Sequence, residues 1–262
     1  MLLVSDVHGE WEGLARLARS GETLLILGDL INLIDYRTNE GIIADVLGKE
    51  FGSEVADHRA AGDYEAMRRA WNQIVGSRRD EVMAALDQRV RQEYELCRQA
   101  LAPAVGFCTY GNVDRPELLA AALPAGMPLL DGETVVIQGM TFGFVGGGVA
   151  TPVGAAGEVT DESMVAKLEA IGDVEVLCSH LPAALDPLAT DVITGRRERS
   201  SRPILEYLRR VGPRFHFYGD VHQPQAITWR LGPTVCRNVG YFRATKRPVR
   251  LVIEGGVPHL GS

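Results

Sequence analysis

Five short, largely apolar runs in this chain share one ending: each is followed by a side chain able to bind a metal ion. Leu2–Ser5 leads to Asp6 and His8, Thr23–Leu27 to Asp29, and Ala104–Tyr110 to Asn112. Val174–Cys178 leads to His180, and Phe215–Tyr218 leads to Asp220 and His222. Short apolar runs bounded by glycine and polar turns read as buried strands. Ligands gathered at the ends of strands are what an open α/β sheet offers to a site. Each residue alone has a plain explanation. An Asp after a strand forms turns or caps helices, and a lone His is most often a hydrogen-bonded structural residue. Taken together, three His, three Asp and one Asn obey one placement rule. They mix oxygen and imidazole donors suited to divalent transition metals.

The remaining pattern alternates with these strands. All 13 prolines lie at Pro103 or later, so the first 102 residues are free to be helical. Residues 10–19 place Trp11, Leu14, Leu17 and Ala18 on one side of a helix. Ile42, Ile43, Val46, Leu47 and Phe51 suggest one short helix. Tyr64, Met67, Trp71 and Ile74 suggest another after an Asp63 cap. Met83, Leu86, Val90, Tyr94, Cys97 and Leu101 suggest a third, after the capping-box-like Ser77-x-x-Asp80. Glu133–Ile137 and Thr141–Val145 read as a hairpin, Asp161–Ile171 and Pro203–Val211 as helices. Ala226–Arg230, Thr234–Asn238 and Val249–Ile253 read as closing strands. Strands alternating with helices give an α/β class built in layers. The 262 residues fit a single domain over 1–262, with room for an insertion.

Charge and cysteine usage narrow the partners. A net charge of −7 and a pI near 5.4 argue against a nucleic-acid partner. Cys97, Cys108, Cys178 and Cys236 have no CxxC spacing, which fits a reducing compartment. The start of the sequence reaches a carboxylate at Asp6 and lacks a signal-peptide core. Leu24–Ile34 is broken by Asp29 and too short to cross a bilayer. The expectation is a cytoplasmic protein without a membrane partner.

In their order, Asp6-x-His8, Gly28-Asp29, Gly111-Asn112, Ser179-His180 and Gly219-Asp220-x-His222 resemble the calcineurin-like metallophosphoesterases. The resemblance runs from residue 2 to about residue 253. It implies a four-layer αββα sandwich with a dinuclear metal site at the strand ends. One metal would take Asp6, His8, Asp29 and His222. The other would take Asp29, Asn112, His180 and Asp220, with Asp29 bridging. The implied activity is phosphoester hydrolysis through a metal-bridging hydroxide, on a small phosphodiester or nucleotide. A phosphomonoesterase or protein phosphatase is the alternative enzyme. A metal- or nucleotide-binding module with weak catalysis is the alternative from another class.

Three positions depart from the family pattern. The residue after Asn112, often a His in the family, is Val113. The resulting Gly-Asn-Val-Asp resembles the small bacterial phosphodiesterase branch with Gly-Asn-x-Asp. Asn32 stands where an acid commonly closes Gly-Asp-x-x-Asp. Asp220 replaces a His, which makes the second site richer in oxygen and favours Mn²⁺, with Fe or Zn as alternatives. Asp114, Arg196 and Arg199 are the catalytic candidates, the arginines because they precede a helix start where anions bind. Residues 37–102 exceed what the family core needs and are expected to be a helical insertion. That insertion would serve as a lid, a substrate wall or a homo-oligomer surface, or simply pack.

Overall fold

A computed structural model describes residues 1–35, 38–152 and 154–261. The chain opens with β1 (Leu2–Val4), α1 (Trp11–Ala18) and β2 (Leu24–Leu27). Four helices follow: α2 (Ile42–Leu47), α3 (Lys49–Ala61), α4 (Tyr64–Val75) and, after a 3-10 turn, α5 (Arg79–Leu101). Next come β3 (Gly106–Thr109), α6 (Pro116–Ala122), β4 (Glu133–Ile137), β5 (Met140–Val145), β6 (Gly148–Val149) and β7 (Glu158–Val159). Then come α7 (Asp161–Ile171), β8 (Val176–Ser179), α8 (Asp186–Ala189), α9 (Arg202–Val211) and β9 (Phe215–Tyr218). The last elements are β10 (Thr228–Leu231), β11 (Thr234–Asn238), α10 (Phe242–Thr245), β12 (Val249–Glu254) and β13 (Val257–Leu260).

Two sheets carry the fold. One has the order β13-β12-β1-β2-β3, the other β10-β11-β9-β8-β5-β4. β1, β2 and β3 are mutually parallel, and so are β5, β8, β9 and β11, while the outer strands run antiparallel. Alternation along β1 and β2 decides the layers. Leu3, Leu25 and Leu27 face the second sheet and pack with Phe142, Phe144 and Phe217. Leu2, Val4, Leu24 and Ile26 face outward under α1, α5 and α6. Leu177, Tyr218 and Cys236 face α7 and α9 on the far side. The result is a four-layer αββα sandwich. Each fully buried Leu or Phe contributes about 1.5–3 kcal/mol, so the inter-sheet layer fixes where the parallel strands end.

The helical stretch departs from its sequence pattern in detail. The single helix expected over Ile42–Phe51 is split, because Gly48 at φ +91 ends α2 and α3 restarts at Lys49. Asp63 does cap α4, accepting from the Ala66 amide. Ser77 caps nothing: the 3-10 turn Gly76–Arg78 leads into α5 without a side-chain cap. The buried stripe of α5 is Val82, Leu86, Val90, Tyr94, Cys97 and Leu101, and Met83 is exposed. Continuing the step of four back from Leu86 lands on Val82, one residue before the Met83 of the sequence reading. The segment expected as an insertion over 37–102 thus holds α2 to α5, and Arg37 lies outside the described residues. The four cysteines are free and buried. Among the described residues, no helix is long and apolar enough to cross a membrane.

Candidate metal centre

The ends of β1, β2, β3, β8 and β9 meet at one edge of the sandwich, and the turns that leave them are tightly bent. Asp6, His8, Asp29 and Asp220 all have positive φ, at 55°, 41°, 55° and 63°. Non-glycine residues rarely adopt this region, and such strain concentrates where a site holds it in place. Two glycines make the crowding feasible. A side chain at Gly111 would collide with the Asp29 carboxylate, and one at Gly219 would collide with Ser5 and Asp6.

These turns aim seven side chains at one another. Asp6, His8 and His222 offer ligand atoms within 4.8 Å of one another, and so do Asp6, Asp29 and His180. Asp29 stands between two imidazoles, with Oδ2 3.7 Å from His8 Nε2 and Oδ1 3.4 Å from His180 Nε2. Asp6 Oδ1 lies 3.8 Å from His8 Nε2 and 3.6 Å from His222 Nε2. Around His180 Nε2 stand Asn112 Oδ1 at 3.2 Å and Asp220 Oδ1 at 3.5 Å. Every residue of the sequence-derived ligand set therefore sits in this cluster.

Hydrogen bonds behind the cluster orient it. His180 Nδ1 donates to the Leu27 carbonyl at 2.8 Å, and His8 Nδ1 to that of Ile31 at 3.3 Å. Both bonds leave Nε2 as the atom facing the carboxylates, the arrangement usual for a metal-binding imidazole. Asp6 Oδ2 accepts from the Asp220 amide at 3.1 Å. Yet among the described residues Asp6 Oδ1 and His8 Nε2 are buried without a hydrogen-bond partner. Two adjacent orphaned atoms at the centre of a buried acidic cluster are costly unless something positive fills the gap.

The titration behaviour reports the same demand. Burial works against charge on His180, but the Asp29 and Asp220 carboxylates hold it well above the ordinary imidazole value. Burial also opposes ionisation of Asp29, and the His180 charge and hydrogen bond outweigh it, holding that carboxyl far down. At His8 burial wins over Asp29 and the imidazole is pushed down, toward its neutral, ligating form. A divalent cation satisfies what these carboxylates ask for, and the donor set of carboxylate, amide and imidazole fits one.

Asp114 is placed differently. Its carboxylate accepts from the backbone amides of Asp29 at 2.8 Å, Leu30 at 3.0 Å and Gly111 at 2.9 Å. It ties the β2 and β3 turns together from behind, and burial with the nearby Asp29 charge pushes it up to about 6. Tyr94 of α5 donates to Asp114 at 3.4 Å and accepts from the Arg115 amide at 2.7 Å. Arg199 contacts the Tyr64 hydroxyl of α4 and lies 4.0 Å from Glu158. Glu158 follows Gly157, which with Gly148 abuts the Asn112 loop. Arg196 is exposed at its surface turn.

Two contributors escaped the sequence reading. Tyr241 stacks on His222 with ring centroids 3.8 Å apart and planes 4° from parallel. Asn238 donates to the Val221 carbonyl at 3.0 Å and so holds the Asp220 turn. Asn238 ends the run Thr234–Asn238 and Tyr241 follows it, so the strand-end rule applied to one more strand would have pointed to them.

No family model matches the chain, and no curated protein matches it in sequence. Among solved structures, TT1561 of Thermus thermophilus shares 12% identity at a TM-score of 0.57. That alignment covers 99% of this chain and 96% of TT1561. A Staphylococcus aureus protein described as a "Putative 5'-Nucleotidase", solved in complex with alpha-ketoglutarate, shares 13% identity at a TM-score of 0.45. There the match covers 100% of this chain and 52% of the other. The likeness to TT1561 over nearly the whole of both chains shows that this αββα architecture is shared.

Proposed function

We propose that the chain is a metal-dependent phosphoester hydrolase acting on a small phosphodiester or nucleotide. One observation carries the reading: Asp29 turns one oxygen toward His8 and the other toward His180. A carboxylate divided in this way, between two groups of donors, suits a bridging ligand. We assign one cation to Asp6, His8, Asp29 and His222, and a second to Asp29, Asn112, His180 and Asp220. When bound, such a pair neutralises phosphate oxygens and supplies a nucleophile from water at neutral pH. The four-layer frame and the five motifs of the metallophosphoesterase resemblance agree with this reading.

The chain's own residues do the rest. His8 and His180 present Nε2 because backbone carbonyls hold Nδ1. Asn112 adds a neutral oxygen beside His180. Asp114 positions the Asp29 turn through three amides rather than facing substrate. Where the family often carries a proton-donating His, Val113 carries none, and its amide donates to Asp29 Oδ1 at 3.1 Å. A chain without that donor handles good leaving groups best, which favours diesters with a stabilised alcohol or phenol. We assign α2 to α5 as a wall of the substrate cleft, and Arg199, which contacts Tyr64 and lies 4.0 Å from Glu158, as a residue that binds a substrate anion.

The test is turnover of bis-p-nitrophenyl phosphate with Mn²⁺, alongside p-nitrophenyl phosphate. Hydrolysis of the diester faster than the monoester is expected. A monoester rate tenfold the greater overturns the diester assignment, and absence of both activities overturns the enzyme reading.

A further inference from the structure

Residues 194–214 hold seven arginines and two glutamates, in a chain whose net charge is −7. Five of the arginines are engaged. Arg197 pairs with Asp186 at 3.2 Å, Arg210 with Asp173 at 3.6 Å and Arg214 with Glu175 at 3.8 Å. Arg199 contacts Tyr64, and Arg196 is engaged as well. The side chains of Arg202 and Arg209 are left without a hydrogen bond or an ion pair among the described residues. Both line one cavity of about 340 Å³, between α9 and the loop that follows His180. Its volume lies in the range of small-ligand sites. Arg197 and Glu206 line it too, and Ala184 and Leu205 give it an apolar floor.

Helix spacing would let Glu206 neutralise either arginine. It stands four residues after Arg202 and three before Arg209. At those spacings Arg91 meets Asp87 and Arg98 meets Glu95 on α5. On α9 Glu206 pairs with neither arginine among the described residues. Arg202 also carries its charge in the first turn of α9, with no acid there. A helix dipole disfavours a cation at that end. With Glu206 and the Asp186 of the Arg197 pair both counted, the lining keeps an excess of positive charge. Like charges gathered in this way repel one another, and an anion among them turns the repulsion into attraction.

We propose that this cavity binds a compact, multiply charged anion: a diphosphate, free or as part of a nucleotide. Arg202 and Arg209 are its principal donors, and Arg197 is the third. A guanidinium presents a planar fork of donors that matches two phosphate oxygens at once. Two adjacent phosphoryl groups give each of the two unpaired arginines a partner, which a single group does less completely. None of the residues assigned to the metal centre lines the cavity, so the site is separate from it. The proposal therefore stands independently of the phosphoesterase reading.

Calorimetry on the full chain tests it, with inorganic pyrophosphate and ADP as the two probes. The protein is freed of metal so that the strand-end centre takes up no phosphate. One probe or both should bind at one site per chain, with a Kd below about 1 mM at low salt. ADP binding at least tenfold tighter than pyrophosphate assigns the site to nucleotides; equal or weaker ADP binding assigns it to the free diphosphate. The double variant Arg202→Ala, Arg209→Ala should weaken binding at least tenfold. Arg210→Ala removes a charge from the same helix outside the cavity and should change binding less than twofold. Arg202, Arg209 and Arg210 are all exposed, so these variants fold. The double variant should also hydrolyse bis-p-nitrophenyl phosphate at the parent's rate. No heat with either probe, unchanged binding in the double variant, or an equal loss in Arg210→Ala overturns the proposal and leaves the phosphoesterase reading untouched.

Discussion

At the strand ends, charge is concentrated and unbalanced. Asp6, Asp29 and Asp220 meet His8, His180 and His222 in a largely buried space, and the backbones of Asp6, His8, Asp29 and Asp220 are bent to positive φ. Across α4 and α5 the same kinds of residue lie on the surface and are balanced locally. Arg69 pairs with Glu65, Arg91 with Asp87 and Arg98 with Glu95, all three or four residues apart. Such exposed pairs stabilise a helix little. Charge in the first region is arranged at a cost to the fold, which marks it for chemistry. In the second it solvates a helix whose other face packs. Residue type alone does not separate the two; burial and missing partners do.

Removing the central carboxylate should break the contrast most severely. Asp29→Ala takes an oxygen from both groups of donors, and kcat/KM should fall about 1,000-fold or more, equivalent to about 4 kcal/mol of transition-state stabilisation. A loss under tenfold on bis-p-nitrophenyl phosphate would remove Asp29 from the centre. Asp114→Ala should act mainly on the fold. Three backbone amides lose their acceptor at once, and chemical denaturation should show a loss of about 3 kcal/mol or more. Unchanged stability would mean those turns hold themselves.

Acid should sharpen the contrast further. His216 is fully buried, its Nε2 2.7 Å from Ser179 Oγ, and burial pushes it down to about 3. The unfolded chain takes up this proton near pH 6.5, whereas the native protein resists until about 3. Stability from this residue is therefore complete above pH 6.5 and drains as pH falls, by up to about 1.4 kcal/mol per pH unit. His216→Gln should lose less stability than the parent between pH 6.5 and 4; parallel curves would contradict the burial argument. The smallest effect belongs to the helix surface. Arg98→Ala should leave both the melting temperature and kcat/KM unchanged, and a measurable fall in activity would give that face a role it lacks here.

The sequence made the frame legible because the strand-end rule joins local pattern to topology. Runs such as Phe215–Tyr218 and Thr234–Asn238 emerge with the boundaries read from the pattern. Other features depend on neighbours that no local pattern encodes. The burial of Val82 in place of Met83 depends on what α5 packs against. The role of Asp114 depends on two turns far from it in sequence. β6 and β7, two residues each, are too short for their period to stand out. Tyr241 lies beyond a strand whose own end went unread, and Asn32 becomes conspicuous only once its buried oxygen is seen to lack a partner.

The central claim is that the orphaned atoms at Asp6 and His8, with Asp29 between two imidazoles, form a place for two cations. Calorimetric titration of metal-free protein with Mn²⁺ tests this most directly. Two Mn²⁺ per chain are predicted, with the Asp220-containing site the weaker, and Asp29→Ala should weaken both. Saturation with no heat of binding, or an isotherm that Asp29→Ala leaves unchanged, would contradict the account.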